Sequence, residues 1–196
     1  MSEFTLGVDL DGVVADYEGR LREIAAEILK LDVKKFPQAT NWSFVDSGWP
    51  FDDVQHYLEV HKEAVRSHGL FRRMATIQGA SEALWRMSDA GIRVRIITHR
   101  LVVNGSHAIA VSDTVNWLDD KRIPYRDICF VRDKAVVGAD LYIDDSPNNI
   151  KILRESAGDD AVMIYDQLYN RHMDGLRAYN WDDVLARVAL QTGLEL

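Results

Sequence analysis

Leu6-Gly7-Val8-Asp9-Leu10-Asp11-Gly12-Val13-Val14-Ala15-Asp16 begins with an apolar run that delivers two carboxylates, Asp9 and Asp11, one residue apart, with Gly12 directly after them. The period-two alternation of an emerging strand aims both side chains the same way. Two like charges about 4 Å apart repel by roughly 4 kcal/mol at an effective dielectric near 20. Such a pair either shares a cation, a proton or a hydrogen-bond network, or simply ends a strand in a solvated acidic turn. Asp-x-Asp alone does not choose between these, so the choice depends on what else the chain brings to the same place.

Outward from this stretch, Leu21, Ile24, Ala25, Ile28 and Leu29 recur at helical spacing and predict an amphipathic helix over 19–31. Residues 32–50 are irregular and aromatic, with Phe36, Trp42, Phe44 and Trp49 among polar residues and two prolines. A second helix is expected after Asp52 or Asp53, with Val54, Tyr57, Leu58, His61 and Val65 on one stripe before Gly69. This makes a helical insertion between two strands.

From Gly79 the texture changes. A helix through Ala83, Leu84 and Met87 stops at Gly91, and the strand IRVRIIT ends at Thr98. A helix over 109–118, the strands DICFVR and DLYIDD, a helix started by Ser146-Pro147, the strand AVMIYD and a closing helix from Trp181 follow in turn. Strands alternating with helices at this spacing predict an α/β fold with a doubly wound parallel sheet covered on both faces.

Composition narrows the function classes. The 196 residues, 47% hydrophobic and 28% charged, suffice for one substantial core with an inserted subdomain. A formal net charge of -8, with no basic run longer than two residues, excludes a duplex nucleic-acid surface from the expectations. The single cysteine, Cys129 in ICFV, cannot form an intramolecular disulfide and reads as a buried small hydrophobe in a reducing compartment. No apolar stretch has membrane-spanning length and the first residues carry no signal-peptide pattern, so a cytoplasmic protein with no membrane partner is expected.

Ligands of open parallel sheets bind outside the carboxyl ends of the strands. Strand one ends at Asp9 and Asp11, strand two at Thr98, strand three runs into Arg132-Asp133-Lys134, and strand four ends at Asp144-Asp145. Singly, each has a plain explanation: a threonine closing a strand, a solvated lysine, acids favouring a helix start. Their joint arrival at consecutive strand ends is what those explanations omit. Three or four carboxylates with one lysine match a hard divalent cation, magnesium, with a phosphate held between metal and lysine.

In this order DLDGVVAD, the IIT strand end, Lys134 and IDD resemble the haloacid dehalogenase superfamily of phosphohydrolases. RDKAVVGADLYIDD and GLFRRMATIQGASEAL resemble its 5'(3')-deoxyribonucleotidases. The resemblance implies a Rossmann-like core of residues 1–16 and 79–196 with a small helical cap, 17–78, inserted after strand one. It implies that Asp9 is the nucleophile and Asp11 the acid, then the base, of a magnesium-dependent phosphomonoesterase working through an aspartyl phosphate. Magnesium would bind the side chains of Asp9 and Asp145 and the backbone carbonyl of Asp11, with Asp144 in support. Thr98, His99 and Lys134 would hold the phosphoryl group, the lysine's charge aimed at phosphate rather than at the core. A small phosphorylated substrate, a nucleoside monophosphate, is the expected partner, and a homodimer is left open.

This chain departs from the deoxyribonucleotidase pattern after Thr98, where His99-Arg100 stands in place of Ser-Pro. Arg100 is expected to add positive charge near the phosphate. Trp42, Phe44 and Phe71 are the candidates for stacking on a base, with packing inside the cap as the plain alternative for each. A phosphatase or phosphotransferase for a sugar phosphate is the competing enzyme reading. A signalling receiver domain shares the residue types but keeps its lysine late and lacks the insertion, and an inactive binding protein would not need every catalytic residue type.

Overall fold

The computed structural model describes residues 3–196, so the first two residues of the expected 1–16 segment lie outside the described residues. The sheet is parallel throughout, with six strands: β1 (Thr5–Val8), β2 (Arg93–Thr98), β3 (Asp127–Phe130), β4 (Leu141–Asp144), β5 (Val162–Tyr165) and β6 (Arg177–Ala178), in the order β3-β2-β1-β4-β5-β6. The helices are α1 (Tyr17–Leu29), α2 (Val54–Ser67), α3 (Ala80–Asp89), α4 (His107–Asp120), α5 (Pro147–Ala157) and α6 (Trp181–Thr192). This is the expected doubly wound class, with one strand more than the apolar runs announce. β6 is only two residues long, too short to show a period.

Residue chemistry explains the boundaries. Asp16, the last residue of the opening stretch, caps α1 by accepting from the Gly19 amide at 2.9 Å, so the helix begins two residues earlier than expected. Asp53 caps α2 through the His56 amide at 2.8 Å, and Ser146 with Pro147 starts α5. β1 lies between β2 and β4, with Val8 in register with Ile96 on one side and Ile143 on the other. Leu6, Val8 and Leu10 are wholly buried, and burial of each such side chain contributes roughly 1.5–3 kcal/mol.

One contiguous apolar cluster runs from the sheet (Leu6, Ile96, Ile143) through α1 (Leu21, Ile24) into the aromatics of the insertion, Phe36, Trp49 and Phe51. Trp181 Nε1 donates to the Val13 carbonyl in the turn after the acids at 3.1 Å, and Trp117 Nε1 donates to the Met74 carbonyl in the segment before α3 at 2.8 Å. Among the described residues no helix is long and apolar enough to cross a membrane.

Candidate active site

The register decides what meets at the carboxyl edge. The amide of Asp9 donates to the Ile143 carbonyl at 3.0 Å, which sets the end of β1 beside the end of β4. Carboxylate oxygens of Asp9, Asp144 and Asp145 all lie within 4.8 Å of one another, and all three residues are buried. Gly12 makes this approach possible: at φ 82°, an added Cβ would stand 2.0 Å from Asp145 Oδ2.

Lys134 is not the solvated lysine of a polar connection. It is 4% exposed, and its Nζ donates to Asp9 Oδ1 at 2.8 Å and Asp144 Oδ2 at 2.6 Å. Burial disfavours its charge, but Asp144 and Asp9 outweigh that and hold the ammonium well above its ordinary range. Lys134→Met would strand these carboxylates without a cation. It is expected to cost about 3 kcal/mol or more, read as a lower thermal midpoint of the metal-free protein at neutral pH, with a smaller loss at acid pH where the carboxyls take up protons.

The three acids are not equivalent. Asp144 has both oxygens engaged, by Lys134, the Ser146 amide at 2.9 Å and Asn149 Nδ2 at 3.2 and 3.3 Å. Asp9 Oδ1 accepts from Lys134 and from the Leu10 amide at 2.7 Å, and among the described residues nothing donates to its Oδ2. Asp145 has Oδ2 held by the Tyr169 hydroxyl, while Oδ1 is buried without a partner among the described residues. Burial pushes the Asp9 carboxyl up to about 7, Lys134 opposing and Asp144 and Asp11 adding to the rise. Burial, then Asp9 and Asp144, raise Asp145 well above the usual carboxylate range.

Thr98, wholly buried at the end of β2, likewise has an Oγ1 without a partner among the described residues. Buried polar atoms are normally satisfied, and these two orphans lie at one sheet edge. Free oxygens on Asp9 and Asp145 are a hard donor set, and the cluster fits a divalent metal. His99 is exposed, and partial burial together with Arg132 and Lys134 lowers its pKa.

Asp11 stands apart from this cluster. Its carboxylate is gripped by Arg100, with Nη2 to Oδ1 at 2.6 Å and Nε to Oδ2 at 3.1 Å, and Arg100 is 1% exposed. Arg100 also donates to Thr114 Oγ1 at 3.1 Å and lies over the Phe71 ring at 4.7 Å from its centroid. Its charge is therefore spent on Asp11 rather than offered directly to a phosphate. Nothing local announces this pair, whose members are 89 residues apart.

The aromatic candidates separate as well. Phe71, expected to face a substrate, is 2% exposed and lies in the core beneath Arg100, so it has no open face for stacking. Phe44 is half-buried and leans on Trp49 at 4.4 Å. Trp42 is exposed, meets Tyr169 edge-on at 5.5 Å, and lines a cleft of about 600 Å³ with Thr40, Asn41, Pro147, Leu168 and His172. The residues just beyond β5, including Tyr169, escape the sequence reading although the strand-end rule that found the other acids points to them too.

The model of the family described as "5' nucleotidase, deoxy (Pyrimidine), cytosolic type C protein" matches residues 3–192. A curated protein of Chlorobaculum tepidum named "Putative 5'(3')-deoxyribonucleotidase" is 45% identical over 183 residues, covering 93% of this chain and 89% of that protein. Among solved structures, a HAD family hydrolase from Deinococcus radiodurans R1, with bound phosphate and sodium, superposes with a TM-score of 0.62 at 16% identity, covering 98% of this chain and 97% of that one. A HAD-superfamily hydrolase of subfamily IA from Geobacter sulfurreducens PCA gives 0.56 at 14% identity, covering 94% and 99%. These two likenesses show the fold, that of the haloacid dehalogenase-type hydrolases. With residues 3–192 matched, the chain belongs to this cytosolic type C family of deoxy 5' nucleotidases, which are phosphoric monoester hydrolases.

Proposed function

We propose that the protein is a magnesium-dependent deoxyribonucleotidase that removes phosphate from deoxynucleoside monophosphates through an aspartyl phosphate on Asp9. The observation that carries this reading is the pair of unpartnered buried oxygens, Asp145 Oδ1 and Thr98 Oγ1, flanking the free oxygen of Asp9 at one strand edge. The relative of 45% identity, whose name is that activity, supports the substrate class.

In the proposed reaction Asp9 Oδ2 attacks phosphorus and the ester oxygen departs with a proton from Asp11. Asp11 then takes a proton from the water that cleaves the acyl phosphate. Thr98 donates to the phosphoryl oxygens, with His99 beside it, and Lys134 offsets their charge while fixing Asp9. Magnesium would be held by the side chains of Asp9 and Asp145 and the backbone carbonyl of Asp11, and it supplies the positive charge without which clustered carboxylates repel a phosphate dianion. The catalytic residues sit in a core of residues 1–16 and 79–196, and residues 17–78 act as the cap that selects the substrate. The leaving nucleoside lies in the cleft under Trp42, since the core groups touch only the phosphoryl end. One lone cysteine and the family's cytosolic type fit a cytoplasmic enzyme.

A phosphate-release screen over 5'- and 3'-deoxynucleoside monophosphates, ribonucleotides, sugar phosphates and an aryl phosphate tests this. Release is expected to be fastest from deoxynucleoside monophosphates with magnesium present and to fall to the uncatalysed rate once divalent metal is chelated. A full rate after chelation would remove the metal from the scheme, and a sugar phosphate turned over fastest would remove the nucleotide.

A further inference from the structure

The residues that follow β5 hold both turns that carry the acids. Gln167 Nε2 donates to the Gly12 carbonyl at 2.7 Å, and Asn170 Nδ2 donates to the Asp145 carbonyl at 2.9 Å and to that of Tyr165 at 2.8 Å. Between them the Tyr169 hydroxyl donates to Asp145 Oδ2. The turn is itself fixed: Asn170 is wholly buried, and its Oδ1 accepts from the Gln167 amide at 3.1 Å and from Arg177 at 2.8 Å. On its outer side the Tyr169 ring stands edge-on to Trp42, so it forms the wall between the cleft and Asp145.

For Asp145 the result is an asymmetric carboxylate. One oxygen is tied to a neutral donor, and the other is buried with no partner among the described residues. Groups that hold one atom of a ligand fix the direction of the other, and their loss commonly weakens metal binding without removing a ligand. We propose that Tyr169 is a positioning residue for the divalent cation: its hydroxyl locks Asp145 so that Oδ1 faces Asp9, and its ring carries that constraint to Trp42 in the cleft. The proposal rests on Asp145 being a metal ligand.

The test is a magnesium titration of the full chain, followed by calorimetry and by the rise of the thermal unfolding midpoint, with phosphate release measured alongside. Tyr169→Phe, which keeps the ring against Trp42, is expected to weaken magnesium binding by about 10- to 100-fold while kcat at saturating magnesium returns to within about threefold of the unmodified value. Gln167→Ala, which frees the same turn from Gly12 but leaves the Asp145 carboxylate its partner, is expected to keep the metal affinity. Unchanged affinity in Tyr169→Phe, or an equal fall in Gln167→Ala, overturns the proposal. So does a Tyr169→Phe protein that no longer folds without metal, because the hydroxyl would then serve folding. Asp145→Asn separates the proposal from its premise: if it binds magnesium normally, the metal reading itself is wrong, whereas if it alone loses the metal, only the role of Tyr169 is.

Discussion

Asp9→Asn is expected to lower phosphate release by about 10⁴-fold or more and, in the same protein without metal, to raise the thermal midpoint at pH 8. The two effects have separate causes. Asp9 is buried beside two other acids, and burial first of all pushes its carboxyl up to about 7. A folded-state pKa above the unfolded value means that the carboxyl's contribution to stability is fully present below the ordinary value of 3.8 and is lost as pH rises through about 7. The metal-free protein should therefore lose stability between about pH 4 and pH 7. Asparagine keeps an acceptor for Lys134 and the Leu10 amide but carries no charge, so the variant escapes this loss, by an amount on the order of 1–3 kcal/mol. What it lacks is the nucleophilic oxygen. Thermal midpoints at pH 5 and pH 8 under chelation, beside release rates with magnesium, check both halves. A variant less stable than the parent at pH 8 would show that the Lys134 pair outweighs the cost of burial.

Asp11→Asn is expected to split the reaction in two. Arg100 donates to both oxygens of Asp11 and so fixes where that carboxyl group sits. Asparagine can neither give up a proton to the leaving group nor take one from water. An aryl leaving group needs little protonation, so attack by Asp9 should proceed while hydrolysis of the acyl phosphate stalls. The expected trace is a burst of about one equivalent of aryl alcohol per site followed by turnover slowed by about 10²- to 10⁴-fold. With a deoxynucleoside monophosphate, whose alkoxide does need a proton, the burst itself should be slow. Aryl phosphate turned over at the parent rate with no burst would take the acid and base roles away from Asp11.

How much of this was legible follows from which signals are local. Five strands could be read because each is an apolar run stopped by polar residues, and a parallel sheet buried on both faces makes such runs. β6, two residues pinned against β5, leaves no such trace. The acids, Thr98 and Lys134 could be picked out because strand ends are visible in sequence, but their inequality could not. That Asp144 is spent on Lys134 and Asn149 while Asp145 keeps a free oxygen depends on side chains from α5 and from the turn after β5. The partner of Arg100 is hidden for the same reason: a cation just past a strand end looks available until its partner, far away in sequence, is known. Phe71 shows the limit for aromatics, whose type is the same whether a base or a guanidinium lies over the ring.

The unbroken apolar cluster from β1 through α1 to Trp49 also bears on how new specificities arise in this fold. The inserted segment contributes side chains to the same interior as the sheet, so a recombination event that exchanged residues 17–78 between relatives would transplant part of a core into a mismatched remainder. Misfit cores of this kind cost several kcal/mol, of the order of a domain's whole stability. Under the proposed function, substrate preference in such a lineage would shift through single changes on the rim of the cleft, at positions such as Thr40, Trp42 and His172, which line it without being part of that interior.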